Sequence, residues 1–464
     1  MTTTAVELAT GPAASVWRSV AFRRIWFAQV VSEVGDWAAR LAMSILVFTA
    51  TGSALQSALV FSVSLLPALG PGQWLTVRTG KLPRRTLFLV TESTRAALLA
   101  LLALFPGTAL AMVVAFATGL VRVPFMSQRS ALIPEIVGLD HVVSATKITQ
   151  VTQNLTILLG YAMGGVLVGL FTTSGALLFG GATFAVSGLL LASIGHPANR
   201  TRASEDSAPS LRAGWTALRT LPAVTAAATL STIALGAGVA IESQAVPLAS
   251  TLPILTLGGT TVPTSTVASA LLMGSTLVAA AAAVAVPSRW RERALLTWSA
   301  ALIIGPAMAG VIGFGIGGPW ASTVALIACG AMFGAAGPAN AVAAMQLPVD
   351  KRAAVFALVI GALFAAQAVA GPIAGYLFDQ YGTDGLAAML VVPVLAAAVA
   401  HLTLTRTWTG PAPTQPAEPD PDGAVAPVGA ARGRCEHFDG SALPPAAWPE
   451  REIVGGGSTG PAVC

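Results

Sequence analysis

The chain has 464 residues, of which 55% are hydrophobic and 10% are charged, and its mean hydropathy is +0.75. Soluble globular proteins carry about 25% charged residues, so a soluble chain of this composition would have too little polar surface to cover itself. The excess apolar surface must therefore face lipid. The net charge of +5 is modest, and no basic stripe is interleaved with aromatic residues, so nucleic acid is not an expected partner.

Cysteines and histidines give no support for a metal site, a cofactor or a disulfide framework. Cys329, Cys435 and Cys464 lie far apart without a CxxC spacing, and the four histidines are scattered along the chain. The sequence contains neither a nucleophile triad nor a Walker-type phosphate-binding loop, which argues against an enzyme and against an ATP-driven pump. The first 20 residues lack the apolar core of a secretory signal.

Twelve apolar stretches follow one another between residues 25 and 405. Each approaches the roughly 20 residues that a helix needs to cross a bilayer. They lie near 25–49, 54–77, 86–105, 109–132, 145–171, 175–195, 222–248, 263–286, 294–316, 320–345, 354–377 and 385–405. The sequence predicts an all-α membrane protein with 12 transmembrane helices in two six-helix bundles.

Polar segments divide this predicted architecture. The longest internal one separates six apolar stretches from six, and a short surface helix is predicted in it around Trp215. The last part of the chain is rich in Pro, Gly, Ala and acidic residues, which is typical of disorder. The expected parts are a cytoplasmic N-terminal segment (1–20), an N-terminal six-helix bundle (21–196), a cytoplasmic linker (197–221), a C-terminal six-helix bundle (222–408) and a disordered cytoplasmic tail (409–464).

Lysine and arginine alternate between the two sides of the predicted membrane. Basic residues follow every second apolar stretch, whereas the intervening loops contain none; these loops lie near 50–53, 106–108, 172–174, 249–262, 317–319 and 378–384. Cytoplasmic loops of membrane proteins carry the excess of Lys and Arg. We therefore expect a multi-pass plasma-membrane protein with both termini in the cytoplasm.

The first apolar stretch contains three ionisable residues, Glu33, Asp36 and Arg40. Spacings of three and four place them on one helical face, where Asp36 can pair with Arg40. A charge at the centre of a membrane helix costs roughly 2.5–3.5 kcal/mol, so such residues face a cavity or a partner. One interpretation is a water-accessible cavity in which an acid binds protons or a cationic substrate; the other is a structural ion pair.

Other ionisable residues occur deeper in the chain. Glu92 and Arg95, three residues apart, predict a structural pair on the third helix. Arg122 of the fourth helix needs an acidic partner, for which the two acids of the first helix are candidates. Glu242 is the only acid well inside an apolar stretch of the second half. It is either a second site for protons or cations, or a hydrated residue at the membrane interface.

Glycines and a proline form a weak internal repeat. Gly160, Gly164 and Gly165 in the fifth helix correspond to Gly371, Pro372 and Gly375 in the eleventh. Such positions predict close helix packing and hinges, and Pro372 is expected to bend or weaken its helix. Arg84 and Arg85 follow the second helix, and basic residues also follow the eighth. The repeat favours a transporter built from two related bundles with a binding site between them.

Several motifs resemble those of major facilitator superfamily drug exporters, in the branch of macrolide-efflux and enterobactin-exporter-like proteins. The resemblance covers roughly residues 20–405 and is carried by these segments: Phe22-Arg-Arg-Ile-Trp-Phe-Ala-Gln29, Gly35-Asp36-Trp37, Arg129-Ser-Ala-Leu-Ile-Pro134, Leu155–Gly165 and Val369-Ala-Gly-Pro-Ile-Ala-Gly375. It implies export of small amphipathic molecules, such as drugs, by alternating access and proton antiport, and hence antibiotic resistance. It also nominates Asp36 as the first-helix acid and Arg95 as its third-helix partner.

Two positions depart from the pattern of this branch. The loop from Arg78 to Arg85 lacks the acidic residue that normally helps to latch the inner gate. The fifth helix has Gly160-Tyr161 where antiporters have Gly-Pro.

The expected partners are a small-molecule substrate, protons and lipid. The expected state is a monomer, and no cofactor is expected.

A second hypothesis belongs to a different class of protein. The chain could have a transporter fold yet act as a membrane sensor or scaffold that recruits partners through its tail, with little or no transport. Deletion of residues 410–464 separates the two hypotheses, because an exporter should keep its activity without them. A membrane-embedded enzyme would need catalytic groups clustered near one interface, and the sequence shows no such cluster.

Overall fold

Helices account for nearly all of the residues that the computed structural model describes, namely 16–17, 19–80, 82–137, 142–194, 211–257, 259–285, 292–347 and 349–407. Between residues 19 and 194, the described residues form six α-helices. They are α1 (Val20–Thr51), α2 (Ala54–Leu65), α3 (Pro71–Thr79), α4 (Arg84–Leu104), α5 (Thr108–Val137) and α6 (Val142–Ala192), with a 3-10 turn at Leu66–Leu69 between α2 and α3.

The residues described from 211 to 407 form nine α-helices and one small hairpin. The elements are α7 (Leu211–Thr220), α8 (Pro222–Glu242), α9 (Ala245–Thr251), β1 (Thr256–Leu257), β2 (Thr260–Thr261), α10 (Thr264–Val284), α11 (Glu292–Ile316), α12 (Pro319–Cys329), a 3-10 turn (Gly330–Ala335), α13 (Ala336–Gln346), α14 (Val349–Tyr381) and α15 (Thr383–Thr407). The strands pair antiparallel, with Thr256 opposite Thr261. Helix α7 contains Trp215, so the short helix predicted there is confirmed.

Helix boundaries follow from local capping and from helix breakers. The Ser19 hydroxyl accepts a hydrogen bond from the Phe22 amide at the start of α1, and Gly52 ends that helix with a φ of 66°. Glycine adopts this left-handed conformation without steric cost. Pro71 occupies the first turn of α3, where its missing N–H costs nothing, and α2 with its 3-10 turn meets α3 at 51°. Helix α14 continues through Pro372 without interruption.

Nine helices of the described residues are long and apolar enough to span a membrane, and the bent pair at 54–79 raises the number to ten. Helix α1, with 32 residues, is outside this set and carries charged residues along its length. Helix α6 has 51 residues and a non-helical residue, Thr172, at the point where the sequence predicts one span to end and the next to begin. These features are consistent with the predicted 12 spans.

Packing divides the described core into clusters within each half and one between them. Leu46, Val60 and Phe184 belong to a buried cluster of the N-terminal half, and Leu230 belongs to one of the C-terminal half. A further buried cluster joins the halves and includes Tyr161 of α6 with residues of α8, α10 and α14. Across the halves, α2 packs on α14 and α6 packs on α10. The interface between the halves is therefore continuous with the core.

The two ends of the bundle can be told apart by their contacts. At the first end, where α1 begins, Arg24 donates a hydrogen bond to the Ser193 carbonyl at 2.6 Å, just after α6 ends. At the second end, Asp379 near the end of α14 contacts the start of α2 at Ser53. The predicted tail 409–464, the segment before residue 16 and linker residues 197–210 lie outside the described residues.

Candidate functional site

Helix α1 carries the ionisable side chains that the sequence singled out, and all three are buried inside the N-terminal half. Glu33, Asp36 and Arg40 each expose less than a tenth of their surface. Arg40 Nε lies 3.1 Å from Asp36 Oδ2, the pairing that a spacing of four residues predicts. The long packing of α1 along α6 places these groups beneath other helices and away from lipid.

Asp36 is surrounded by arginines from three helices. Besides Arg40, the Arg95 Nη2 atom of α4 lies 2.5 Å from Asp36 Oδ1, and the Arg122 Nη1 atom of α5 lies 3.7 Å from Asp36 Oδ2. Glu33 and Asp36 were both proposed as partners for Arg122, and the structure pairs it with Asp36. One carboxylate with three guanidinium neighbours holds α1, α4 and α5 together.

Glu92 completes this group on α4. Arg95 Nη1 lies 2.9 Å from Glu92 Oε1, and the Ser32 hydroxyl donates to Glu92 Oε2 at 3.2 Å. The Arg95 guanidinium also stacks over the Phe184 ring, with its central carbon 3.7 Å from the ring centroid. A cation over an aromatic face is stabilised by the ring quadrupole. Arg95 is therefore held by two carboxylates and one ring.

Glu33 forms a separate pair closer to the first end. Arg129 Nη2 lies 3.2 Å from Glu33 Oε1, and the Thr156 hydroxyl donates to Glu33 Oε2 at 2.9 Å. From the sequence alone, lipid headgroups at the cytoplasmic mouth of the fourth helix were the expected neighbours of Arg129, whereas the structure buries this side chain. Its partner is 96 positions away in sequence, so helical spacing alone could not reveal it. The pair ties α5 and α6 to α1.

Together these residues form what we call the charge network. Its members are Glu33, Asp36, Glu92, Arg40, Arg95, Arg122 and Arg129. Each of its three acids lies within ion-pair distance of at least one arginine. Removing one partner from a buried ion pair leaves the other charge uncompensated and strongly destabilises a fold. Loss of any one partner of the charge network is therefore expected to destabilise the N-terminal half.

A second polar region lies between the two halves, and we call it the central cavity. It has a volume of about 50 Å³. Helices α1, α2 and α6 of the N-terminal half contribute Trp37, Arg40, Phe61, Leu65 and Tyr161 to its lining. The C-terminal half contributes Val239 and Glu242 of α8, Ser243 directly after α8, and Gln367 of α14. Arg40 belongs to both the charge network and the central cavity.

Glu242 is the acidic member of the central cavity. It is the last residue of α8, and it is half-buried. The buried Tyr161 side chain of the opposite half is close enough to interact with it electrostatically. Among the described residues, no ion pair includes Glu242. This acid therefore differs from those of the charge network, which all have arginine partners.

The predicted packing glycines fall into two groups. Gly160 and Gly164 lie against α1, where a β-carbon at Gly164 would be 3.0 Å from the Ala38 Cα atom. Gly165 lies against Ser269 of α10, and Gly375 lies against α2, so both belong to the interface between the halves. Gly371 lies at the same interface, between Ser62 of α2 and Ser243.

The basic residues after the second predicted span have different surroundings. Arg84 binds Glu135 through two hydrogen bonds of 2.5 and 2.6 Å, which link α4 to α5 within the N-terminal half. Arg85 is exposed. Of the two arginines proposed from the sequence for gating or packing, Arg84 is thus paired inside its own half and Arg85 is at the surface.

Asp379 provides a contact between the halves that the sequence did not indicate. Its carboxylate accepts hydrogen bonds from the Ser53 hydroxyl and the Ala54 amide, each at 2.7 Å, and from the Leu55 amide at 3.1 Å. The first amides of a helix have no partner within the helix and attract negative charge. A carboxylate of the C-terminal half therefore caps α2 of the N-terminal half.

We expect the Asp379→Asn substitution to weaken closure of the second end by about 0.3–1 kcal/mol, the usual contribution of a negative charge at a helix N-terminus. The reason is that asparagine removes the charge and one acceptor oxygen. Spin labels at the exposed positions Gln56 and Tyr381 should report a larger fraction of long distances across the second end. Asp384→Asn, at an exposed position of α15, is the control and should leave the distribution unchanged.

Some functional candidates were missed at the sequence level for identifiable reasons. Tyr161 was noted only as the residue that replaces the proline of antiporters, yet it lies beside Glu242. The sequence did contain a signal for Tyr161, namely a polar tyrosine hydroxyl beside an apolar, glycine-rich stretch. Asp379 falls within the outer loop predicted near 378–384, whereas the structure places it within α14. Among the described residues, no group of three His, Cys, Asp or Glu side chains is arranged to hold a metal ion.

Comparison with known proteins agrees with this architecture. The sequence profile of the Major Facilitator Superfamily matches residues 25–348, more than half of the chain. No curated protein sequence gives a significant match. Solved structures with a similar fold include the nucleoside transporter NupG, with a TM-score of 0.64 and 14% identity over 84% of this chain and 100% of that one.

Two further solved structures are similar over most of their length. A bacterial homologue of the human lysosomal transporter Spinster, in an inward-facing and unoccupied conformation, has a TM-score of 0.62 and 13% identity, covering 85% of this chain and 99% of that one. A POT family transporter in complex with 5-aminolevulinic acid has a TM-score of 0.61 and 13% identity, covering 84% and 96%. At these identities the likeness concerns the fold alone. On the profile match, the chain belongs to the Major Facilitator Superfamily and is a multi-pass membrane transporter, not an enzyme.

Proposed function

We propose that this protein is a secondary transporter that exports small amphipathic molecules, drugs or secondary metabolites, across the plasma membrane by proton antiport. It acts as a monomer, by alternating access, with both termini in the cytoplasm. The substrate class and the branch come from the resemblance to macrolide-efflux and enterobactin-exporter-like proteins. The orientation comes from the distribution of Lys and Arg between the loops.

The position of Glu242 is the observation that best supports proton coupling. This acid lines a cavity between the two halves and has no basic partner among the described residues. An acid inside a membrane that lacks a counter-charge can exchange its proton, whereas a carboxylate held by several arginines has its charge already compensated. We therefore assign proton exchange to Glu242, with the Tyr161 hydroxyl beside it, and a structural role to Asp36.

The size of the central cavity supports alternating access. A volume of about 50 Å³ accommodates a few water molecules. Binding sites for drug-sized ligands occupy about 300–1,000 Å³. A substrate therefore requires the halves to separate further, and the contacts at Gly375 and Asp379 have to break when the second end opens.

The experiment uses ethidium, a lipophilic cation, in everted membrane vesicles. A pH gradient should drive ethidium accumulation by the wild-type protein, and Glu242→Gln should reduce that accumulation by about tenfold or more, equivalent to about 1.4 kcal/mol. Asp384→Asn is the control for an exposed acid. Exchange of labelled for unlabelled ethidium, without a gradient, should persist in Glu242→Gln, because exchange needs alternating access but no net proton movement.

Two outcomes would contradict this proposal. Undiminished gradient-driven accumulation by Glu242→Gln would remove Glu242 from proton coupling. Wild-type protein that moves neither ethidium nor any other compound of a panel of lipophilic cations and antibiotics would argue against export of amphipathic molecules.

A further inference from the structure

The C-terminal half has an apolar groove on its outer side, between α8 and α15. Residues 222–229 of α8 form one wall and residues 392–403 of α15 form the other, while Leu218 and Arg219 of α7 lie at one end. The volume of the groove is about 770 Å³, within the range of about 300–1,000 Å³ that is typical of sites for small molecules. The groove is therefore large enough for an organic ligand, and it is separate from the central cavity.

Small residues form the floor of the groove, and larger apolar residues form its rim. Ala226 and Ala400 are buried and Ala396 is half-buried, whereas Leu395 and Val399 are 60% and 59% exposed. Helix α15 is one of the helices that are long and apolar enough to cross a membrane. An exposed apolar surface on such a helix faces lipid, because water is absent from the hydrocarbon region. The groove is therefore open to the acyl chains of the bilayer.

The length of the groove corresponds to one leaflet of the bilayer. On α15 its lining runs from Val392 to Thr403, which is about 16 Å at a rise of about 1.5 Å per residue. One leaflet contributes half of the hydrocarbon core, or about 15 Å. Helix α14 ends at the second end of the bundle and α15 begins two residues later, so Thr403 lies toward the first end. The groove therefore runs from the first end to about the middle of the membrane, as one acyl chain does.

A positive charge lies where the headgroup of a lipid in the groove would be. Arg219 is exposed, and its guanidinium carbon lies 5.0 Å from the centroid of the Trp215 ring on the same short helix. Tryptophan is enriched at the level of the headgroups, which agrees with α7 as a surface helix. Among the described residues no ion pair includes Arg219, and residues 211–241 contain neither Asp nor Glu. Such a guanidinium is suited to bind a phosphate group through two hydrogen bonds.

We propose that this groove binds one anionic phospholipid of the leaflet at the first end. One acyl chain lies between α8 and α15 over the alanine floor, and the phosphate of the headgroup binds Arg219. In the proposed orientation this is the cytoplasmic leaflet, where basic pockets between membrane helices bind anionic headgroups. The proposal goes beyond transport, because it depends neither on the substrate nor on the coupling ion.

The test uses native mass spectrometry of the purified full-length protein in detergent, titrated with phosphatidylglycerol or with phosphatidylcholine. The wild-type protein should bind one phosphatidylglycerol more tightly than phosphatidylcholine, because only the former has a net negative charge. Arg219→Gln should weaken this binding about fivefold, equivalent to about 1 kcal/mol, the usual contribution of one arginine near an anionic lipid surface. Arg85→Gln, at an exposed arginine of α4, is the matched control and should bind as the wild type does.

A second variant tests the groove itself. Ala396→Phe fills the floor and should weaken phosphatidylglycerol binding by about tenfold or more, equivalent to about 1.4 kcal/mol. Ala388→Phe, at an exposed position of the same helix outside the groove, should bind as the wild type does. Because Arg219 is exposed, Arg219→Gln decides the question if Ala396→Phe does not fold.

Three outcomes would overturn the proposal. Equal affinity of the wild-type protein for both lipids would exclude recognition of an anionic headgroup. Unchanged phosphatidylglycerol binding by Arg219→Gln, or by a folded Ala396→Phe, would place the lipid elsewhere. A dimer or an ethidium complex that Ala396→Phe abolishes, while phosphatidylglycerol binding persists, would assign the groove to a second copy of the chain or to substrate. None of these measurements involves transport, so their failure is distinguishable from failure of the ethidium accumulation experiment.

Discussion

Replacing Asp36 by asparagine is expected to destabilise the protein by about 3–5 kcal/mol, the usual cost of removing one partner from a buried ion pair. Asparagine keeps the shape of the side chain but removes the negative charge that lies beside Arg40, Arg95 and Arg122. The charge network would then contain two carboxylates and four arginines. The measurement is the melting temperature of the purified protein, followed by loss of the monodisperse peak in size-exclusion chromatography.

Two comparisons make this prediction specific to charge. Asp384→Asn makes the same chemical change at an exposed position and should leave the melting temperature nearly unchanged. The double variant Asp36→Asn with Arg122→Gln should be more stable than Asp36→Asn alone, because it removes one of the uncompensated arginines. Coupling between residues in contact is about 0.5–3 kcal/mol in such cycles. A stable Asp36→Asn protein that has lost only transport would show instead that Asp36 exchanges protons.

A second large effect is expected from Gly375→Val. A β-carbon at Gly375 would lie 2.6 Å from the Leu55 Cα atom and 2.7 Å from the Ala54 carbonyl oxygen, both backbone atoms of α2. Backbone cannot move aside as a flexible side chain can, so valine should force α14 and α2 apart at the second end. Overpacking typically costs about 1–3 kcal/mol. If the closed conformation alone is destabilised by that energy, the ratio of open to closed molecules rises by about 5- to 150-fold.

The distance between spin labels at Gln56 and Tyr381 checks this prediction, in protein whose native cysteines have been replaced. Gly361→Val provides a matched control on the same helix, because a β-carbon at Gly361 has no atom within 4 Å. Gly375→Val should give mostly long distances across the second end, and Gly361→Val should give the wild-type distribution. Similar distributions for Gly375→Val and the wild type would mean that α2 and α14 do not have to touch at Gly375 for this end to close.

The sequence predicted the features that depend on composition and on short spacings. Low charge and repeated apolar stretches indicated a helical membrane protein, and the spacing of four residues indicated the pair of Asp36 with Arg40. It also located the break near Thr172 between two predicted spans, although the structure continues as one long helix with a single non-helical residue.

Partners that are distant in sequence could not be predicted in the same way. Glu33 and Arg129 are 96 positions apart, and Asp379 and Ser53 are 326 positions apart. Such contacts depend on how the helices pack, and periodicity within one helix contains no information on that.

The importance of Asp36 in the site hypothesis illustrates the consequence. The sequence offered each of its three arginine neighbours as a separate partner, but it did not show that all three meet at one carboxylate. That convergence is the reason why we propose Glu242, and not Asp36, for proton exchange.

The position of Arg40 connects two parts of the molecule that are otherwise separate. Its guanidinium binds Asp36 inside the N-terminal half, and the same side chain forms part of the wall between the halves. A negative charge in the central cavity would attract Arg40 and so weaken its ion pair with Asp36. A positive charge there would repel Arg40 and so strengthen that pair. We therefore expect a charge bound at the interface to alter, through Arg40, the ion pairs inside the N-terminal half.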